Sequence, residues 1–143
     1  MKMMRKWFIV CSLFFATAVS SVAADITITV KGVRNAKGRI AALAFVDGKG
    51  FPDRVASAKT LAIVPAQAGE VTLVIKNVPE GKVALTILHD EDGDGKLKRN
   101  MIGIPTEGVG MTGKPLGNRA PKFEEAVVEI KGDQKREITL KYW

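Results

Sequence analysis

The chain is poor in the side chains that most catalysis and covalent stabilisation need. Its one cysteine, Cys11, and all of its serines but Ser57 fall in the first 24 residues, and His89 is its only histidine. Disulfide frameworks, thiol nucleophiles and zinc sites of the cysteine–histidine type are thereby excluded from the remainder. A serine hydrolase would have to use Ser57 with His89, and no nucleophile elbow surrounds Ser57. Aromatic residues make up 6% of the chain, and its cations are scattered with few aromatics between them, which argues against nucleic-acid binding. Helical periodicity is almost absent, and no apolar run reaches the ~20 residues that a membrane-spanning helix needs.

Residues 1–24 have the layout of a secretory signal peptide: Lys2, Arg5 and Lys6, then the apolar run Trp7 to Ala18, then small residues ending at Ala24. Two other readings carry less. A membrane anchor would need a longer run and a cationic stop, and a lipidated Cys11 would follow the bulky Val10 after too short an apolar stretch. Cleavage after Ala24 leaves 119 of the 143 residues as a single domain, 25–143, with 19 basic and 15 acidic side chains. The expected location is periplasmic or secreted. A domain of this size holds one core, and without cysteine its stability rests on packing, strand pairing and any bound ion. The small excess of cations supports at most a weak, salt-sensitive attraction to anionic envelope surfaces.

What the sequence does contain is alternation. Ile26, Ile28 and Val30 alternate with threonine and lysine, which is the period of a half-buried strand. Arg39 to Val46 and Lys82 to His89 are apolar on both parities, as central strands are. Leu61 to Pro65 and Val71 to Ile75 flank a turn at Ala68-Gly69 and read as a hairpin, and Ala126 to Lys131 and Arg136 to Tyr142 close the chain. Asp53 to Lys59 can form one helical turn capped by Asp53. Residues 100–124, rich in glycine and proline, have no clear period and read as a long irregular excursion not needed for folding. About seven closely spaced strands predict an all-β fold, an antiparallel β-sandwich of the kind immunoglobulin-like domains form; the alternative is an eight-stranded barrel.

Polar chemistry concentrates in His89-Asp90-Glu91-Asp92-Gly93-Asp94-Gly95-Lys96-Leu97. Calcium takes six to eight oxygens, and Asp90, Asp92 and Asp94 at alternate positions, Gly95 at the sharp turn and the Lys96 carbonyl match the first half of a D-x-D-x-D-G loop. The second half departs from it. Lys98 stands at the ninth position and Met101 at the twelfth, so a carboxylate from elsewhere must complete the shell, with Glu107 or Glu91 nearest. Two further readings stay open: a turn whose carboxylates are balanced by Lys96, Lys98 and Arg99, and a transition-metal site that adds His89.

Four segments together resemble a known group of exported bacterial proteins, Domain of Unknown Function 2141. They are His89 to Leu97, Ile102-Gly103-Ile104-Pro105-Thr106-Glu107-Gly108, Pro121-Lys122-Phe123-Glu124-Glu125-Ala126 and Leu140-Lys141-Tyr142. The resemblance implies a small β-sandwich of the transthyretin-like or carboxypeptidase-regulatory type, and the Val78-Pro79-Glu80-Gly81 turn is similar to one in those domains. It implies no established activity. Lys98 stands where the group commonly has an acidic residue, which weakens any carry-over of a Ca²⁺ role. The reading that follows is a non-enzymatic module with a calcium-binding loop. Alternatives are an envelope module that recognises a protein or glycan through a strand edge or the excursion, and a metal-dependent hydrolase using His89.

Overall fold

The computed structural model describes residues 22–143, so the reading of residues 1–21 as part of a signal lies outside it. Eight strands form: β1 (Ala23–Val33), β2 (Arg39–Phe45), β3 (Thr60–Pro65), β4 (Gly69–Pro79), β5 (Gly81–Asp90), β6 (Gly108–Met111), β7 (Val127–Ile130) and β8 (Gln134–Thr139). They build two sheets. One has the order β4-β1-β8, and the other runs β3-β2-β5-β6, with β7 also pairing β5. All pairings are antiparallel except β1 with β8, which is parallel.

The alternating residues of β1 and the doubly apolar β2 and β5 explain the layers. Ile26, Ile28 and Val30 face Ile40, Ala42, Ala44, Leu85 and Ile87 across the sandwich, and Leu73, Ile75, Ile138 and Leu140 complete that core. The other parity of β2 and β5 is apolar because the larger sheet is covered on both faces. Ala41, Leu43, Phe45, Ala84 and Leu88 meet Met111, Leu116 and Phe123 from the excursion, Leu97 from the acidic loop, and Phe51 and Val55 from the segment after β2. Phe51 lies edge-on to Phe45 and to Phe123 at 5.5 and 5.8 Å between centroids. The excursion therefore has a structural task that its lack of period concealed: it is the outer cover of the five-stranded sheet.

Three local expectations change. The strands on either side of Ala68-Gly69 are not a hairpin; β3 pairs β2 and β4 pairs β1, so the chain crosses between sheets, linked there by the Thr60 hydroxyl donating to the Lys76 carbonyl at 3.0 Å. The helical turn narrows to a 3-10 turn, Val55–Ser57, whose N-cap is Arg54 and not Asp53 and which has no side-chain cap; the Asp53 carboxylate pairs with Arg99 at 2.8 Å. Within the excursion, Gly108–Met111 is a strand and Phe123–Ala126 (α1) a single helical turn. Among the described residues no helix is long and apolar enough to cross a membrane.

Candidate functional site

The acidic loop begins where β5 ends, and its neighbours are fixed by register. Arg39 stands opposite Asp90 on β2, and Gly108 stands opposite His89 on β6, so Glu107 enters beside Asp90. Gly108 has to be glycine: a Cβ there would lie 2.5 Å from the ring of Tyr142. Glu107, 3% exposed, accepts the Glu91 N–H on Oε1 at 2.9 Å and the Lys98 N–H on Oε2 at 3.0 Å. One buried carboxylate thus holds both ends of the loop.

Inside the loop the aspartates turn the backbone. Asp90 accepts the N–H of Asp94 on Oδ1 at 3.2 Å and that of Gly95 on Oδ2 at 2.9 Å. Asp92 accepts the Asp94 N–H at 3.1 Å, and Asp94 accepts the Lys96 N–H at 2.8 Å. Gly93 and Gly95, at φ 73° and 77°, take the left-handed backbone the turn requires. One carboxylate oxygen from each of Asp90, Asp92 and Glu107 lies within 4.8 Å of the other two. Asp94 and Lys96 are exposed and Asp94 is not part of that convergence. Asp92 and Glu107, with Glu91, Lys37, Lys98 and Thr106, line an open cleft of about 350 Å³.

Cations from outside the loop surround these carboxylates. Arg39 Nε is 2.9 Å from Asp90 Oδ2 and its Nη2 donates to the Gly93 carbonyl at 3.1 Å; Lys98 Nζ is 3.7 Å from Asp92 Oδ2. Glu91 is held by both prongs of Arg34, at 2.6 and 2.8 Å, and by Asn35 at 3.0 Å. The Arg34 hydrogen bonds bring the Glu91 carboxyl down to about 2. Of the two carboxylates that the sequence offered to complete the shell, Glu107 converges with the aspartates and Glu91 is taken up by Arg34. Neither Arg34 nor Arg39 is part of the loop sequence, and only the pairing of β2 with β5 reveals Arg39.

His89 is fully buried and does not line the cleft. Its Nε2 lies 2.8 Å from the Lys37 carbonyl, which can only accept, so Nε2 carries the proton; Nδ1 then accepts from the Tyr142 hydroxyl at 2.8 Å. Both ring nitrogens are used in joining β5 to neighbouring segments. No lone pair is left for a metal, and a hydrolytic reading built on His89 has no base at the cleft.

A family model described as "Uncharacterized protein conserved in bacteria (DUF2141)" matches residues 28–139. No curated protein and no solved structure matches the chain.

Proposed function

The chain belongs to this bacterial family, Domain of Unknown Function 2141, whose description carries no activity, and we propose a role from the site itself. The protein is an exported, non-enzymatic binding module in which Ca²⁺ orders the His89 to Lys96 loop. Asp90, Asp92 and Glu107 supply carboxylate oxygens, and the Lys96 carbonyl and water complete the shell. The observation that carries this reading is the convergence of those three carboxylates from two separate segments, two of them less than 5% exposed. Like charges gathered this closely repel, and a divalent cation removes the repulsion. Arg39 and Lys98 already offset part of it, so the affinity belongs in the range of extracellular modules, around 10⁻⁴ to 10⁻³ M.

Calorimetric titration with Ca²⁺, together with thermal melts in Ca²⁺ and in chelator, tests the reading. For a Kd of about 1 mM, about 10 mM Ca²⁺ adds ~1.4 kcal/mol of stability. A specific observation favours a second reading, a turn whose charge is balanced without any metal: Arg39 pairs with Asp90 at 2.9 Å. Absence of both heat and a melting shift at millimolar Ca²⁺ selects that second reading.

A further inference from the structure

Residues 98–106 form a narrow tip whose backbone is closed on itself. Arg99 and Pro105 bridge antiparallel, and Thr106 N–H donates to the Lys98 carbonyl at 2.9 Å. Asn100 then holds the turn from inside. Its N–H donates to the Ile104 carbonyl, its own carbonyl accepts from Gly103, and its Oδ1 accepts from the N–H groups of Ile102 and Ile104 at 3.1 and 3.0 Å. The residues that this frame displays are apolar: Met101 is fully exposed and Ile102 is 79% exposed. Neither belongs to the two apolar clusters of the fold.

Ile102 and Ile104 of the tip, with Leu97, Met111, Leu116 and Trp143, also line a largely apolar groove of about 320 Å³, to which Arg99 and Arg119 contribute. Trp143 is 43% exposed, with the Lys141 ammonium 4.7 Å from its ring centroid. The segment that carries the tip is rich in cations, part of them neutralised by carboxylates outside it. Residues 96–122 carry Lys96, Lys98, Arg99, Lys114, Arg119 and Lys122 against a single carboxylate, Glu107, which is buried in the loop. Arg99 and Arg119 are paired to Asp53 and Glu125, whereas Lys96, Lys114 and Lys122 enter no ion pair among the described residues.

We propose that this tip is a docking surface for an anionic lipid bilayer. Met101 and Ile102 enter the boundary between headgroups and acyl chains, Trp143 sits at headgroup level, and the excess of cations in residues 96–122 attracts the lipid phosphates. Exposed apolar side chains on a hydrogen-bonded turn need no shaped partner to be buried, and an interfacial tryptophan within an excess of cations matches an anionic headgroup layer. This goes beyond the Ca²⁺ reading and does not rest on it.

The test is vesicle flotation in chelator, so that the loop's ion plays no part, with the chain from Val22 onward, which contains all eight strands. Vesicles are phosphatidylcholine alone or with about one third phosphatidylglycerol. The protein floats with the anionic vesicles, binding weakens as salt rises, and the emission of Trp143, the only tryptophan after residue 21, shifts to the blue. A Met101→Asp/Ile102→Asp variant loses binding about tenfold or more while its melting temperature stays that of the parent, because both side chains are exposed. Failure of the parent to bind anionic vesicles overturns the proposal. So does equal binding by the variant, equal binding to both kinds of vesicle, or use of the tip by a protein partner while vesicles are ignored.

Discussion

Glu107 Oε1 accepts the backbone N–H of Glu91 at 2.9 Å across 16 residues of chain. That bond, with its companion to Lys98, makes Glu107 a structural fastener before it is anything else. It also means that the third carboxylate of the proposed site is fixed in place in advance, as preorganised ligands are.

Glu107→Gln removes the charge and turns one of the two acceptors into a donor facing an N–H. The expected cost is about 1–3 kcal/mol of stability, since one backbone N–H loses its acceptor and the other keeps only an uncharged one. Urea unfolding measures it. Ca²⁺ binding falls at least about tenfold if the carboxylate is a ligand, and an unchanged titration would remove Glu107 from the proposed shell.

Lys98 acts in the opposite direction. Its ammonium lies 3.7 Å from Asp92 and is well exposed, so Lys98→Ala leaves the fold intact and takes away a competing cation. Ca²⁺ affinity should rise about two- to fivefold, the equivalent of one exposed ion pair. Weaker or equal binding in calorimetry would show that Asp92 is not a ligand.

The acid range reports on Arg34 and Glu91. The Glu91 carboxyl is lowered to about 2, first by its hydrogen bonds from Arg34. A depressed carboxylate contributes its stability above the unfolded value near 4.3 and loses it as pH falls through the folded value. Arg34→Gln should therefore destabilise the protein at neutral pH, and the gap to the parent should narrow between about pH 4.3 and 2. Unfolding midpoints across that window check it; a gap constant with pH would mean that the loss comes from Arg34 packing on Tyr142, 4.5 Å from the ring centroid.

Tyr142→Phe separates a structural His89 from a chemical one. Loss of the hydroxyl leaves the buried Nδ1 of His89 without its donor, at an expected cost of about 1–3 kcal/mol. The Ca²⁺ titration should be unaffected, because His89 does not line the cleft. A large change in metal binding would return His89 to the site.

Much of this architecture is written in side-chain alternation. The parity of Ile26, Ile28 and Val30, and the doubly apolar runs of β2 and β5, are local consequences of strand geometry, so the all-β fold was legible without coordinates. Which strands pair is not local. β3 and β4 read as a hairpin and lie in different sheets, because a turn composition brings the chain round without stating which edge it joins. The same holds for Gly108–Met111, whose two glycines hide a strand that packs under Tyr142 and Ile138, where a Cβ would collide.

For the site, the residue types at 90, 92 and 94 and the candidacy of Glu107 came from spacing and ligand chemistry alone. The distances did not. Asp90, Asp92 and Glu107 converge because the pairing of His89 with Gly108 delivers Glu107 to the loop, while Arg39 arrives from β2 on the other side of β5 and Arg34 from the turn after β1. Charge pattern is a property of sequence, but charge balance sums over space. Only the fold could decide which cations face which carboxylates, and that the excursion covers the second face of the sheet while raising Met101 and Ile102 above it.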